Sequence, residues 1–558
     1  MIACMYLRTI QRRNKNGSVV RYVQLAHNVR HPESGNSVAE VLHSFGREDR
    51  LDREALTRLV GSISRYLGVA GPADGTDTGL SLVSSRRLGA TWALDGLWRR
   101  LGIDSTMRRL LAGRRLDASV ERTLFALVAN RAIEPSSKLA ATRWADERVY
   151  VAGVDGLSDD ACYRAMDWLL EIQAELAEAV YWSTADLLNL EVDLLFFDTT
   201  STYFETDTAD VPADGATVGF RTYGKSKDHR PDLPQVVIGM AVTRTGIPIR
   251  VWCWPGNTND QALIRQVKDD LRAWRLGRVV WVADRRFSSA ENRRYLQRGG
   301  GNYIIGEKLR GDSTEANTAL ARQGRYHHVA DNLQVKEVVI DDGVMRDRFV
   351  ICRNPDEATR DKAVRDRLVE QLETRIADTD TLNRQQRATL AGALPAGLRR
   401  FLRTTPTGLL RVDRAAVNTD ANYDGKFLLR TSDPTLTAED IAVGYKQLLE
   451  VERGWRDMKS TLDLRPVYHH LERRIRAHVT LCWLALLLIR IAETETADTW
   501  RNLRNELDRC HLIELEGNTG RVQQRTELTP TQTNIYTWAA PRIPDSGDDN
   551  AYAAWMSA

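Results

Sequence analysis

Two apolar segments that each end in an aspartate constrain the fold of this chain most. The segment EVDLLFFD runs into Asp198, and RVVWVAD runs into Asp284. Strands that are covered on both faces of a sheet have nearly continuous apolar sequences, so we predict two central strands with an aspartate at each C-terminal end. Ligands of open α/β sheets gather at those ends. If the strands are neighbours, the two carboxylates lie side by side.

The segments around these strands predict a mixed α/β sheet. After Asp198, QVVIGMAVTRTG and IPIRVWCWPGN are predicted as two strands joined at Thr245-Gly246. DQALIRQVKDDLRAWRLG and SAENRRYLQRGG have helical periodicity, and NYIIGEKL is predicted as a further strand. Three strands, a helix, a strand, a helix and a strand form the order of an RNase H-like core.

The rest of the chain is predicted to surround this core. A polar, glycine-rich stretch, GPADGTDTG, is the best linker. We expect a basic hairpin and helix over 1–70, a helical domain over 80–190, an RNase H-like catalytic domain over 191–309 and 441–495, an inserted α+β subdomain over 310–440, and a C-terminal helical region and tail over 496–558.

Composition narrows the class of protein. The six cysteines are scattered without zinc-ligand spacing, which argues against a zinc module and for a reducing compartment. The N-terminus has no apolar signal core, and the longest apolar run, around Leu481–Ile489, is shorter than the roughly 20 residues that span a bilayer. We therefore expect a soluble intracellular protein.

Basic residues are concentrated at the N-terminus, although the net charge of the chain is only +3. The first 32 residues contain no Asp or Glu. Their cations are Arg8, Arg12, Arg13, Lys15, Arg21 and Arg30. Such a segment suits contacts with DNA phosphates, and a merely solvated hairpin is the alternative.

A third carboxylate is predicted from the stretch YKQLLEVERGWRDMK, residues 445–459. It has helical spacing, which places Glu452 on one mostly apolar face with Tyr445, Arg456 and Lys459. Glu450 lies about 200° around the helix from Glu452. A partly exposed helix with a Glu452–Arg456 pair is the simpler alternative.

Three carboxylates without a cysteine or histidine cluster suit Mg²⁺ or Mn²⁺. Two such ions about 3.5–4 Å apart would clamp the attacking and leaving oxygens of a phosphodiester. Asp198, Asp284 and Glu452 are the candidate ligands. Asp260 is predicted instead to cap the helix that follows it. His469 and His470 are predicted to be structural or to face phosphate.

The chain resembles the DDE transposases of bacterial insertion sequences, in the group with a Y-x2-R-x3-E-x6-K motif. Tyr445, Glu452 and Lys459 fit that spacing, and Leu448 stands where the group has arginine. The segments FFDTTSTYFE, YGKSKDHRPDLPQ, VADRRFSS and LRPVYHH are also similar to this group, as is the GN-x-x-D at 256–260. The resemblance covers about 190–490 strongly and the N-terminal third weakly, and it implies an RNase H-like domain with an insertion before the final glutamate.

The resemblance implies a DNA transposase that needs Mg²⁺ or Mn²⁺, with two ions. It would bind the terminal inverted repeats of its element as a homodimer, cut each end to free a 3′-OH, and join that 3′-OH to target DNA. A cytoplasmic, nucleoid-associated location in a bacterium follows. The alternatives are a nuclease of the same fold without strand transfer, and a catalytically silent DNA-binding protein.

The resemblance also implies DNA contacts. Tyr445, Arg456 and Lys459 would contact DNA beside the metals. The loop residues Lys225, Lys227, His229 and Arg230 are predicted to bind phosphate, with a solvated loop as the alternative. Some relatives stack a flipped base on an aromatic residue of the insertion, for which this chain offers Tyr326, Phe349, Phe401, Tyr423 or Phe427.

Overall fold

The computed structural model describes residues 5–13, 19–30, 37–67, 80–117, 119–189, 193–212, 219–274, 276, 278–310, 313–341, 346–517 and 520–540. The chain divides into two compact units. The smaller comprises Met1–Val83 and Leu515–Val522, and the larger comprises Ser84–Glu514 and Gln523–Ala558.

The smaller unit contains a three-stranded antiparallel sheet followed by a helix. Its strands are β1 (Met5–Arg13), β2 (Val19–Arg30) and β3 (Ser37–Arg47), in that order, and the helix is α1 (Arg53–Tyr66). Alternating sequence makes β1 and β2 a hairpin, as the sequence predicts. The segment NKNG at 14–17, whose Asn-Gly pair predicts the turn of this hairpin, lies outside the described residues.

Strand β4 (Ser81–Arg87) leads into a helical region. Its helices are α2 (Gly89–Arg100), α3 (Ile103–Leu111), α4 (Ser119–Ile133), α5 (Lys138–Arg143) and α6 (Asp159–Leu188). Helix α4 is buried on nearly all sides, including its polar residues Glu121, Asn130 and Arg131. Helix α6 begins at Ser158, whose side chain accepts a hydrogen bond from the Ala161 N–H.

The large mixed sheet of the predicted RNase H-like domain comes next, and it is called the catalytic sheet below. Its elements are β5 (Leu194–Tyr203), β6 (Gln235–Thr243), β7 (Pro248–Pro255), α7 (Asp260–Arg272), β8 (Val280–Ala283), α8 (Ala290–Gln297) and β9 (Asn302–Glu307). Strands β5, β6 and β7 pair antiparallel, whereas β8 pairs parallel with both β5 and β9. This is the predicted order of an RNase H-like core.

The position of Asp198 corrects one prediction. The aspartate lies inside β5 and not at its C-terminal end. Thr199 to Tyr203 continue the strand because each of them remains paired with β6, from Thr199–Gly239 to Tyr203–Gln235. Only the parallel pairing with β8 stops before Asp198.

Residues 310–440 hold a mixture of helices and strands. They are α9 (Thr314–Ala321), β10 (His327–Ala330), β11 (Leu333–Asp341), β12 (Arg346–Arg353), α10 (Pro355–Ile376), α11 (Arg384–Ala393), α12 (Ala396–Arg399), β13 (Leu402–Thr404), β14 (Leu410–Val412), α13 (Arg414–Ala421) and β15 (Lys426–Thr431). Four of these strands extend the catalytic sheet, whose order is β10-β11-β12-β15-β9-β8-β5-β6-β7. Helices α10 to α12 with β14 enclose a small apolar core of their own.

The C-terminal elements are α14 (Ala438–Lys446), α15 (Leu449–Ser460), α16 (Glu472–Thr496), α17 (Trp500–Leu507), β16 (His511–Gly517), β17 (Gly520–Arg525) and α18 (Pro530–Ala539). Strands β13 and β14 form a two-stranded sheet, and β17, β16 and β4 form a three-stranded sheet in that order. The stretch 445–459, predicted as one helix, is two helices. The N–H groups of Gln447, Leu448, Glu450 and Val451 bond to carbonyls three residues back, and this tighter turn interrupts the α-helical pattern.

Helix α16 is long and apolar enough to cross a membrane by length and composition alone. However, 94% of its apolar window is buried within the protein. It packs against α4, α6 and β7, so it is a core helix that joins the helical region to the catalytic sheet.

Candidate active site

Two aspartates lie next to each other on neighbouring parallel strands. The last paired residues of β5 and β8 are Phe197 and Ala283, and each aspartate follows directly. The pKa of Asp198 is raised to about 6, mainly by burial and to a smaller extent by the negative charge of Asp284. The cations Lys227 and Arg286 and the Thr199 N–H act in the opposite direction. The arrangement concentrates negative charge at one point of the sheet.

Glu452 faces the same pocket from α15. The pocket has a volume of about 390 Å³, and its lining includes Asp198, Asp284 and Glu452. Glu452 is exposed and does not lie on an apolar stripe, which corrects the prediction. The buried face of α15 consists of Val451, Gly454, Trp455 and Met458.

Glu450 has different surroundings, although it is only two residues away. One of its carboxylate oxygens lies 3.9 Å from the Arg453 guanidinium. The same carboxylate lies close to Gly246, at the β6–β7 turn. The lining of the pocket includes Glu452 and does not include Glu450.

The donors around this pocket fit a hard divalent cation. They are carboxylate oxygens, which Mg²⁺ and Mn²⁺ prefer over nitrogen and sulfur. Burial is the main cause of the raised pKa of Asp198 and the charge of Asp284 contributes, so a bound cation would offset both effects. Within the described ranges, no three His, Cys, Asp or Glu side chains are grouped closely enough to hold an ion as they stand. The fit therefore rests on the aspartate pair, with Glu452 facing the same pocket.

Tyr445 stands beside the aspartates, at the end of α14. Burial raises the pKa of its hydroxyl, and the charges of Asp284 and Asp198 act in the same direction. Its ring stacks on Phe427 of β15, with centroids 6.2 Å apart. Its hydroxyl fits only because residue 306 is glycine, since a Cβ there would lie 2.5 Å from the Tyr445 oxygen.

A polar network that the sequence did not predict supports Asp198 from the other side. Lys227 donates to the Thr199 carbonyl at 2.7 Å and pairs with Asp260 at 3.1 Å. The Thr199 hydroxyl donates to Asp260 at 2.8 Å. Arg286 lies 3.6 Å from Asp284 and 3.9 Å from Asp260. The network links both aspartates to a third carboxylate through two cations.

The prediction that Asp260 caps α7 is wrong. The cap is Asn259, whose side chain accepts from the Gln261 N–H at 3.1 Å. Asp260 is the first helical residue, so its carboxylate is free to meet Lys227 and Thr199. The GN-x-x-D pattern was the available signal for Asp260. For Arg286 the only sequence signal was its position two residues after Asp284.

Lys459 and Arg456 lie in different environments. Lys459 donates to the Thr200 hydroxyl and to Asp228, both at 2.8 Å. Arg465 joins the same carboxylate at 3.1 Å. Lys459 therefore ties α15 to the loop that follows β5 and does not line the aspartate pocket. Arg456 is exposed, and its side chain makes no hydrogen bond or ion pair with the described part of the chain.

A basic cleft adjoins the aspartate pocket. It has a volume of about 1450 Å³ and runs along β9 and β15. Its acidic lining consists of Asp260, Asp284 and Glu307. Its basic lining consists of Lys225, Lys227, His229, Arg285, Arg286, Lys308, Arg310 and Lys426. This excess of cations suits a polyanion.

The remaining predicted DNA contacts lie elsewhere. Arg230 does not line the cleft, because its guanidinium pairs with Asp232 at 2.8 Å and covers the Tyr203 ring. Arg12 and Arg13 are exposed on β1 of the smaller unit. Lys15 lies outside the described residues.

An RNase H-like sheet with an aspartate pair, a later glutamate and a basic cleft defines a class of metal-dependent enzymes that act on nucleic acid. The transposase DDE domain family matches residues 198–488, more than half of the chain, and the match begins at Asp198 itself. The IS1634 family transposase N-terminal domain matches residues 7–87. The chain belongs to the DDE transposases of insertion sequences. It is therefore a DNA-binding enzyme that depends on a divalent metal.

A solved structure of the piggyBac transposase synaptic complex with hairpin DNA is similar over 82% of this chain and 84% of that chain. Its identity is 11% and its TM-score is 0.35. No curated protein sequence matches the chain.

Proposed function

We propose that Asp198, Asp284 and Glu452 hold two Mg²⁺ or Mn²⁺ ions and form the catalytic centre of this transposase. The observation that carries the proposal is the single pocket lined by all three carboxylates. When bound, such ions stabilise the charge on the attacking and leaving oxygens of a phosphodiester. Cleavage by water would free a 3′-OH, and that 3′-OH would then displace an oxygen at a phosphodiester of target DNA.

The neighbouring side chains have supporting roles in this proposal. Lys227 and Arg286 act to lower the pKa of Asp198 and so favour its ionised form, while Asp260 pairs with both cations. Tyr445 and Phe427 form an aromatic wall between the aspartate pocket and the cleft. A base displaced from the duplex would stack on such a wall.

DNA would lie in the basic cleft. Lys225, Lys227 and His229 line it from the loop after β5, and Lys308 and Arg310 line it from the end of β9. Lys459 acts indirectly, because it fixes that loop through Asp228 and Thr200. Arg456 is an exposed cation one turn after Glu452 on α15 and is free to meet a phosphate.

The smaller unit would bind the element ends. Arg12 and Arg13 project from an exposed strand, and Lys15 follows them in the sequence. The family match to an IS1634-type N-terminal domain supports a role specific to this group. Because two ends must be joined in one event, we infer that a homodimer acts on the terminal inverted repeats, in the bacterial cytoplasm at the nucleoid.

The test compares Glu452→Gln with Glu450→Gln. Glutamine keeps the shape of glutamate but removes the charge that binds a metal. Glu452→Gln should abolish strand cleavage and leave binding to an end-containing duplex nearly unchanged. Glu450→Gln should cut within a few-fold of the parent enzyme, because its carboxylate lies outside the pocket.

Both variants are assayed for cleavage and for gel shift in the same preparations. If Glu450→Gln is inactive and Glu452→Gln cuts normally, the proposal has assigned the wrong glutamate. The same reactions, supplied with target DNA, report whether 3′ ends are joined. Cleavage without any joined product would identify a nuclease and not a transposase.

A further inference from the structure

A second pocket lies in the larger unit, away from the carboxylates. It has a volume of about 200 Å³ and is enclosed by α4, α5, α6, α16 and the loop between α15 and α16. Four basic side chains line it: Arg131, Lys138, His469 and His478. Part of that loop is the LRPVYHH segment, of which only Arg465 has a contact described above, with Asp228. The pocket meets solvent beside Tyr468, which is 67% exposed.

Lys138 is the decisive residue of this pocket. It is 5% exposed and makes no hydrogen bond or ion pair with the described part of the chain. The charged or titratable groups that act on it are Arg131 and the thiols of Cys162 and Cys482, and no carboxylate is among them. A buried ammonium group costs several kcal/mol unless an anion or hydrogen-bond acceptors compensate it.

The other basic groups also lack acceptors. Arg131 is 4% exposed, reaches only the carbonyls of Leu462 and Asp463, at 3.4 and 3.3 Å, and its Nε has no partner. His478 contacts the Leu464 carbonyl through Nε2, while its buried Nδ1 has no partner. Among the described ion pairs, Asp463 at the pocket wall bonds to neither Arg131 nor Lys138.

The basic groups that line the pocket repel one another electrostatically. The rings of His469 and His478 lie 5.6 Å apart. Burial lowers the pKa of Lys138 to about 7, and the charge of Arg131 adds to that effect. Burial also lowers the pKa of His469 to about 3, with contributions from Lys138, Arg474 and Arg131. An anion in the pocket would reverse each of these penalties.

We propose that this pocket binds a phosphate group through Lys138 and Arg131. A tetrahedral oxyanion offers several acceptors to donors that converge from different elements. A volume of about 200 Å³ holds one such group with its first waters. The same chemistry recognises a phosphodiester of bound DNA or a free phosphate ion, and the DNA case alone rests on the proposed function.

The first experiment measures thermal unfolding of the full chain with inorganic phosphate against chloride at equal ionic strength. A ligand that binds only the folded state raises the melting temperature. The parent should show a phosphate-dependent rise, and Lys138→Met should lose it. Lys362→Met is the matched control, because Lys362 is an exposed cation on α10 that lines neither this pocket nor the basic cleft. It should retain the rise.

The second experiment measures the salt dependence of DNA binding by the same proteins. A slope that falls by about one unit in Lys138→Met would assign a DNA phosphodiester to the pocket. An unchanged slope, with the phosphate-dependent rise lost, would assign a free phosphate ion. Methionine removes a buried charge, so the variant should fold, and Lys138→Gln provides a second neutral substitution. If both variants keep the full phosphate-dependent rise, the proposal is overturned.

Discussion

Replacing Lys138 with methionine should stabilise the protein at neutral pH and lose that advantage as the pH rises. The pKa of Lys138 falls from 10.5 to about 7 on folding because its ammonium group is buried without an anion. Between these two values the unfolded chain binds more protons than the folded one, so the stability of the parent increases with pH. Methionine fills a similar volume and does not titrate.

The magnitude follows from the difference between the two pKa values. Each pKa unit corresponds to about 1.4 kcal/mol, so the buried charge costs the parent roughly 5 kcal/mol at or below pH 7. The stability difference between variant and parent should therefore shrink by about 1.4 kcal/mol for each pH unit above 7. A comparison at pH 7 and pH 9 avoids the range in which tyrosines and other lysines titrate fully.

Urea denaturation in chloride buffers without phosphate measures this difference. The midpoint and slope give the free energy of unfolding for parent, Lys138→Met and Lys362→Met at each pH. Lys362 is exposed, so its variant should follow the parent in parallel. If Lys138→Met also runs parallel to the parent from pH 7 to 9, the ammonium is neither desolvated nor unpaired, and the reasoning about the pocket fails.

Three further predictions concern the catalytic centre and the N-terminal strand. Gly306→Ala should reduce cleavage at least tenfold, because its Cβ would meet the Tyr445 hydroxyl at 2.5 Å. Gly392→Ala is the control, because Gly392 is an exposed helical residue with open space around it. This variant should cut normally and gain about 0.5–1 kcal/mol of stability. Cleavage kinetics and urea melts compare the two, and equal activity would contradict the role of Tyr445. Removal of divalent ions with EDTA should abolish cleavage, and Mg²⁺ or Mn²⁺, but not Ca²⁺, should restore it. Gel shifts should show that DNA remains bound in EDTA. Full cleavage in EDTA would disprove the metal centre. Replacing Arg12 and Arg13 together with alanine should lower the log–log salt slope of DNA binding by about two units, and an unchanged slope would mean that the strand is only solvated.

The sequence predicted the catalytic sheet because its strands carry their own signal. Continuous apolar residues before Asp198 and Asp284 are a local property of each strand, and the parallel pairing of those strands follows from the helix between β7 and β8. The end of β5 was not predictable in the same way. Thr199 to Tyr203 are polar or aromatic residues that stay in the strand only because β6 continues beside them.

The candidate site was predictable where one residue could be assigned from its own segment. Glu452 was selected from the sequence, but the prediction that it lies on a mostly apolar helix face was wrong. Counting helical positions from Tyr445 assumes one uninterrupted helix. The bonds to carbonyls three residues back at Gln447 and Leu448 change the rotation at that point. The role of Asp260 depends on Thr199 and Lys227, which come from distant parts of the chain, so no local pattern distinguishes it from a helix cap.

The pairing of β15 with β9 has a mechanical consequence. Strand β15 follows the inserted segment, yet it pairs directly with β9 at four positions, from Leu428–Glu307 to Thr431–Ile304. The floor of the basic cleft is therefore one continuous sheet and not two bodies joined by a hinge. A sheet tolerates twisting better than folding across its hydrogen bonds. The two sides of the cleft formed by β9 and β15 therefore cannot move apart as separate bodies. Any change in the width of the cleft must come from lining segments outside the sheet, such as the loops at 225–229 and 256–259.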